Sequence, residues 1–266
     1  MVAEQPQPTH RERQAAATEA TFAGGSRALQ LADDRLVSYL VQWRLQAAWR
    51  RLRRCEPALD ERCSVLVVCA GEGVEGSLLA DLGFTDVTVS DISRSAMDVA
   101  VGRDPRLSTE VLNAEDTGLD ARFFDIVVVH DGLHHLQSPV RGFTEMLRLA
   151  DKAVILLEPH DSWSGRKFGQ RWETNGDAVN FVFRWDRRLV DQVAASYLGS
   201  DGFENASFAF WHHNVRMEQL ARRLGPRAGL ATVKVVKTVL DRAVGRFGNQ
   251  FCGLVVVGDR GRRLHP

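Results

Sequence analysis

Short apolar runs alternate with amphipathic stretches through the middle of this 266-residue chain, and that alternation predicts an α/β protein. SVLVVC at 64–69, DVTVS at 86–90, STEVLN at 108–113, FDIVVVH at 124–130 and KAVILLE at 152–158 read as five strands. Most are apolar throughout, as strands covered on both faces must be. The intervening stretches read as helices. One is closed by Gly83, one is opened by Ser93, and one carries Pro139 in its first turn. Strand–helix alternation implies a parallel sheet with right-handed crossovers.

The flanks read differently. Residues 1–25 are polar, hold Pro6, Pro8, Gly24 and Gly25, and are expected to form a disordered tail. A helical segment spans 26–60, with a helix over about 26–54. Asp33 and Asp34 offer an alternative start, and Leu36, Leu40, Trp43 and Ala47 form its buried stripe. The remainder, 61–266, is expected to be one domain, with an insertion or lid at about 159–214. Helices are expected over 186–198, 217–224 and 230–247, and FCGLVVVG at 251–258 supplies a last strand.

Composition narrows the class. Lys+Arg and Asp+Glu both number 34, so no net field draws the chain to nucleic acid, and no nucleic-acid partner is expected. No apolar run is long enough for stable membrane insertion. The polar N-terminus lacks the apolar stretch of a signal peptide. Cys55, Cys63, Cys69 and Cys252 form no Cys-x-x-Cys pair. Reduced thiols and a cytoplasmic location follow as expectations.

The candidate chemistry begins where the first strand meets its helix, at Cys69-Ala70-Gly71-Glu72-Gly73-Val74-Glu75-Gly76. Glycines there let the backbone approach a ligand closely. Asp91, at the end of the second strand, stands where an acid would hold ribose hydroxyls. Such a loop serves either a nicotinamide dinucleotide or S-adenosylmethionine. Glu72 and Glu75 would repel a pyrophosphate and tolerate a cation, which favours the sulfonium cofactor. Neither Tyr39 nor Tyr197 is followed four residues on by lysine, which removes one large reductase class.

Asn113-Ala114-Glu115-Asp116 follows the third strand, and His130-Asp131-Gly132-Leu133-His134-His135 ends the fourth. With the glycine loop and Asp91, these stretches resemble the class I, Rossmann-like S-adenosylmethionine-dependent methyltransferases, in their small-molecule branch. The resemblance implies a doubly wound, seven-stranded, mostly parallel sheet with N-terminal helices and an aromatic-rich insertion after strand five. It implies that Cys69, Gly71 and Gly73 pass beneath the methionine part of the cofactor. Asp91 would bind the ribose, with Ile92 packing on adenine. Ala114, Glu115 and Asp116 would meet the adenine, and His130 and Asp131 would lie at the methionine end. The family usually has an acid at the position of Val67 and a glycine at that of Cys69. Without that acid, the ammonium falls to Asp131 or to a backbone carbonyl.

The expected reaction is methylation of an oxygen on a small-molecule, glycan or lipid-type acceptor, releasing S-adenosylhomocysteine. A hydroxyl acceptor benefits from a general base. His134, His135 and His160 are the candidates, with Glu158 or Asp161 beside them, because imidazole titrates near neutrality. His212 and His213 are assigned to packing or surface roles. No helix carries a His-x-x-x-His pair, so no metal is expected. Trp163, Trp172, Trp185 and Trp211, with Phe168, Phe181 and Phe183, suit an acceptor pocket or a small satellite core. The arginines at 44, 50, 51, 53 and 54 read as a solvated helix face, and the helix at 230–247 as packed on the sheet. A homodimer is compatible with the sequence. A nicotinamide oxidoreductase and a nucleoside-binding domain that has lost catalysis remain the alternative readings.

Overall fold

The computed structural model describes residues 8–23, 35–212 and 215–259. The expected role of His213 and the start of the long helix at 26–34 lie outside them. Five parallel strands are built where the apolar runs predict: β1 (Val65–Val68), β2 (Val87–Asp91), β3 (Ser108–Val111), β4 (Phe124–His130) and β5 (Ala150–Pro159). Helices α3 (Val74–Asp81), α4 (Arg94–Arg103) and α5 (Pro139–Leu149) connect them, and Ser93 caps α4 by accepting the Ala96 N–H.

A long strand, β10 (Gln250–Val257), runs antiparallel to β5. Two short strands, β8 (Phe203–Asn205) and β9 (Phe208–Phe210), pair with its other edge. The sheet order is β3-β2-β1-β4-β5-β10-β8. The seventh strand is therefore broken in two, which makes eight by count. At the break, Ser207 Oγ accepts the Leu254 N–H and Ala206 N–H donates to the Leu254 carbonyl, so the ladder is not left open. Strand order reverses between β1 and β4. The loops after them splay apart at that point, which is where open α/β sheets hold ligands.

Helix α7 (Arg187–Leu198) packs on one face of this sheet with Trp185 and Phe143, which are fully buried. The other face carries α2 (Arg35–Cys55), whose buried residues include Leu40, Leu45, Ala48, Trp49 and Leu52. The stripe expected from Trp43 and Ala47 is rotated, and those two are only half-buried. Arg44 is 4% exposed rather than solvated. Helices α8 (Val215–Leu224) and α9 (Pro226–Val244) pack on α2 instead of the sheet. In α9, Lys237 is buried, donating to the Trp211 carbonyl and to Asp241 over the Trp43 ring, while Val235 and Val239 face outward.

Two segments depart from expectation. Residues His10–Ala23 form a helix, α1, and not a tail. The reason is a capping box: Thr9 Oγ1 accepts the Glu12 N–H, and Glu12 accepts the Thr9 N–H. Glu19 then docks α1 by accepting hydrogen bonds from Ser93 Oγ and from the Ser95 N–H and hydroxyl at the start of α4. Within the expected lid, α6 (Trp163–Phe168) precedes a hairpin of β6 (Trp172–Asn175) and β7 (Ala178–Phe181), and the rest of 159–214 belongs largely to the domain core. Gly176 takes φ +54° in the two-residue turn.

Because Glu19 fastens α1 through the end of another helix, Glu19→Ala should release α1 selectively. Hydrogen exchange should speed up across residues 10–23 while β4 stays protected. Uniform protection in both would mean that other contacts hold the helix.

Candidate active site

The loop after β1 is strained in the sense its ligand geometry needs. Cys69, Gly71 and Gly73 all have positive φ, at 53°, 50° and 73°. Cys69 thus adopts the left-handed conformation that explains why glycine is usual there. Room for its side chain comes from across the sheet, because a Cβ on Gly132 would lie 2.5 Å from the Cys69 Cβ. Gly73 and Gly76 face inward, and a Cβ on Gly76 would lie 2.4 Å from Val89. They allow α3 to pack closely, while Gly71 borders the ligand space.

That space is a cavity of about 210 Å³ lined by Cys69, Gly71, Asp91, Ile92, Asn113, Ala114, Glu115, Asp131 and His135, and roofed by Arg11, Gln14, Thr18 and Phe22 of α1. The expected cofactor residues therefore converge, with three exceptions. Asp116 points outward to Arg141 and is exposed. Gly73 lies behind the loop. His130 is buried behind Asp131, held by Glu75 at 2.5 Å. Glu75 and Glu72 are turned away from the cavity, toward His130 and Arg103, so they do not supply the loop's anionic face. The α1 roof was missed, although the Thr9-x-x-Glu12 box signals it.

Asp91 sits at the cavity wall with Oδ2 accepting the Gly71 N–H at 3.0 Å and Oδ1 accepting the Ser93 N–H at 3.1 Å. Burial raises its pKa, against these backbone bonds. Glu115 accepts the Ser138 N–H at 2.6 Å. Asp131 closes the opposite end, with Oδ2 accepting from Arg44 at 2.9 Å. Burial opposes its ionisation, but the Arg44 guanidinium outweighs that and holds the carboxyl well below its ordinary range. Asp131 Oδ1 is buried with no hydrogen-bond partner. An orphaned anionic oxygen at this end of the cavity fits a cofactor ammonium.

A second cavity, of about 920 Å³, opens beside the first and is lined by Asp131, His134, His135, Phe168, Gln170, Glu173, Arg184, Trp211 and His212 among others. Asp131 and His135 line both cavities.

The three candidate histidines separate clearly. His134, in the 3₁₀ turn Leu133–His135, is 5% exposed, with Nδ1 on Glu158 at 2.8 Å and Nε2 on Glu173 at 3.2 Å. Burial favours its neutral form, but the two carboxylates prevail and push its pKa up to about 10. It holds its proton at neutral pH and does not act as a free base. His135 is the reverse. Burial and the adjacent His134 cation lower its pKa, and Asn180 hydrogen-bonds its Nδ1 at 2.9 Å. His160 borders neither cavity. Its Nδ1 donates to the Gly248 carbonyl at 2.7 Å and its ring stacks on Phe251, which fastens β5 to the turn before β10. The Asp161 N–H donates to the Trp185 carbonyl and its carboxylate lies 3.6 Å from Arg166, while the His160 ring is oriented by the Gly248 carbonyl.

The hairpin inverts the expected arrangement of aromatics. Trp172 and Phe181 pack edge-to-face on its outer, solvent side. Its inner side presents Glu173 to His134 and Asn180 to His135 and Gln14. Of the expected pocket aromatics, Phe168 and Trp211 line the larger cavity, while Trp185 belongs to the core.

Removing Arg44 would leave a carboxylate beside two histidines and Glu75 without its main counter-ion. Arg44→Ala should cost about 2–3 kcal/mol in urea unfolding, less than for a fully buried pair because Asp131 is about a third exposed. Arg44→Ala with Asp131→Asn should recover part of the loss. A strictly additive double variant would show that the pair is not coupled.

Comparison with known proteins follows the same lines. Residues 66–157 match the model of a family described as "Methyltransferase domain". No curated protein matches the chain. Among solved structures, the cyclase SpnF superposes with a TM-score of 0.59 at 17% identity, covering 96% of this chain and 98% of that one. A chain of the complex between the Haloferax volcanii Trm112 methyltransferase activator and a methyltransferase gives 0.59 at 15%, covering 92% and 97%. Magnesium protoporphyrin IX methyltransferase from Synechocystis PCC 6803, with bound S-adenosylmethionine, gives 0.57 at 12%, covering 96% and 100%. At these identities the superpositions establish the fold, and the matched stretch establishes the domain carried on it. The chain therefore has the fold of the class I, Rossmann-like methyltransferases, and its residues 66–157 carry the match to a methyltransferase domain.

Proposed function

We propose that the chain methylates an oxygen of a small acceptor, with the sulfonium cofactor in the smaller cavity and the acceptor in the larger one. The observation that carries this reading is the shared border: Asp131 and His135 line both cavities. A methyl group presented there would face the acceptor directly. Alignment of nucleophile, methyl and sulfur is the main contribution such an enzyme makes, worth roughly 7–11 kcal/mol in favourable cases.

The parts of the cofactor find matching partners. Asp91 offers a carboxylate to vicinal hydroxyls, Ile92 and Ala114 offer apolar walls to a purine, and Glu115 stands beside them. The unpartnered Asp131 Oδ1 offers an acceptor to the ammonium. When bound, S-adenosylmethionine supplies an activated methyl group. The protein excludes water with the α1 roof and places a neutral imidazole, His135, beside the acceptor oxygen. The larger cavity falls within the usual range for small-molecule sites. Phe168 and Trp211 suit a flat acceptor, and Gln170 and Arg184 supply polar points for its orientation.

One structural relative is named a cyclase, so the assay must follow the methyl group itself. With methyl-labelled cofactor and hydroxyl-bearing aromatic acceptors, label should appear in product alongside S-adenosylhomocysteine. Cofactor binding without any turnover across a metabolite extract would favour the non-catalytic alternative. Asp91→Ala should weaken cofactor binding by about 10–100-fold in calorimetry, as expected for losing a charged hydrogen-bond partner. His135→Ala should lower kcat by about 100-fold or more while cofactor affinity changes little. A loss confined to cofactor affinity would place His135 outside the chemistry.

A further inference from the structure

His134, His135 and Glu173 each direct one ligand-type atom into a common space, and those atoms lie within 4.8 Å of one another. We propose that these three residues bind a first-row divalent cation such as Zn²⁺, Mn²⁺ or Co²⁺ at the wall of the acceptor cavity. Two imidazoles and one carboxylate form a nitrogen-rich set that suits those ions better than Mg²⁺ or Ca²⁺.

The surroundings are arranged as for ligands. Glu158 is fully buried, and its Oε1 is fixed by the Gly132 and Leu133 N–H groups at 2.8 and 2.7 Å. Its Oε2 takes His134 Nδ1, which leaves Nε2 directed at Glu173. A carboxylate behind the far nitrogen is what orients metal-binding histidines. Asn180, 1% exposed, donates from Nδ2 to His135 Nδ1 and so fixes the orientation of that ring.

Charge points the same way. Two carboxylates, Glu158 and Glu173, face the one His134 ring, while Asp131 is already neutralised by Arg44. A proton between His134 and Glu173 leaves one negative charge over. A divalent ion in place of that proton balances both. Bonds of about 2.1 Å in tetrahedral geometry set ligand atoms roughly 3.4 Å apart, so the group must contract. Glu173, half-exposed on the hairpin, is the arm that can move.

All three residues line the larger cavity, so an ion held by them keeps its remaining positions open to the acceptor. The substrate class follows, and this clause rests on the methyl-transfer reading. The acceptor is a hydroxyl with a second oxygen on the neighbouring carbon, able to chelate. The cation lowers the pKa of the hydroxyl, whose proton leaves to water. The oxygen lone pair then forms the O–CH₃ bond as the CH₃–S bond breaks, with its electron pair staying on sulfur. His135 then serves as a ligand and is not required as a base.

The test uses the full chain without a histidine tag, treated with chelator and then titrated with Co²⁺ and Zn²⁺. One ion per chain is expected by calorimetry, with visible Co²⁺ absorption. Glu173→Gln, on the half-exposed hairpin, should weaken binding by about 10-fold or more, and His135→Ala similarly, with melting temperature as the check on folding. Absence of binding, or equal affinity in wild type and both variants, overturns the site. S-adenosylmethionine affinity measured on the same samples separates this result from failure of the cofactor reading. An ion that binds but leaves turnover of vicinal diols and single hydroxyls equal overturns the chelation clause.

Discussion

A carboxylate sealed in the interior at the end of β5 organises the candidate site of this molecule. Glu158 accepts two backbone N–H groups from the loop after β4 and one imidazole N–H from His134. A buried anion is tolerable only when its lone pairs are occupied in this way. The bonds fix the turn at Gly132 and Leu133, and so the directions of Asp131, His134 and His135. Both cavities take their shared border from that turn. The neighbouring ion pair of Arg44 with Asp131 then ties the same loop to α2, on the opposite side of the sheet end.

The cofactor side is organised by backbone more than by side-chain charge. Three alternate left-handed positions, Cys69, Gly71 and Gly73, turn the chain back after β1, and Asp91 holds that turn by accepting the Gly71 N–H. The same carboxylate is therefore both a clamp for the loop and part of the cavity wall. The roof, α1, is fastened by Glu19 on α4, by Gln14 on Asn180, by Thr18 and Thr21 on Asn175, and by His10 on the His135 carbonyl. The contacts to Asn175, Asn180 and His135 meet residues that also line cavities. Covering the site and completing its wall are thus one structural event.

The core strands and their connections were legible because full burial forces continuous apolar runs, and caps such as Ser93 mark helix starts. Asp91, Ile92, Ala114, Glu115 and Asp131 were legible because strand ends in a parallel sheet are brought to one edge by topology. Two features were present in the sequence but passed over: the Thr9-x-x-Glu12 capping box and the Asn175-Gly176 turn. The hairpin reads poorly because its aromatics face solvent and its polar residues face the site, the reverse of an ordinary half-buried sheet.

By itself, then, the sequence determined the sheet, its polarity and the edge at which chemistry sits, since each rests on local periodicity and on burial that neighbours in the chain share. Tertiary structure decided which charges meet. Arg44 and Lys237 look like solvated cations in the sequence, yet folding buries Arg44 against the distant Asp131, and buries Lys237, with its helix neighbour Asp241, against the Trp211 carbonyl. His134, His135 and His160 look equivalent as isolated side chains. Their partners, Glu158 and Glu173, Asn180, and the Gly248 carbonyl, separate a fixed cation from a neutral ring and from a structural tie. Proton affinity depends on the field at the ring, and that field comes from groups distant along the chain.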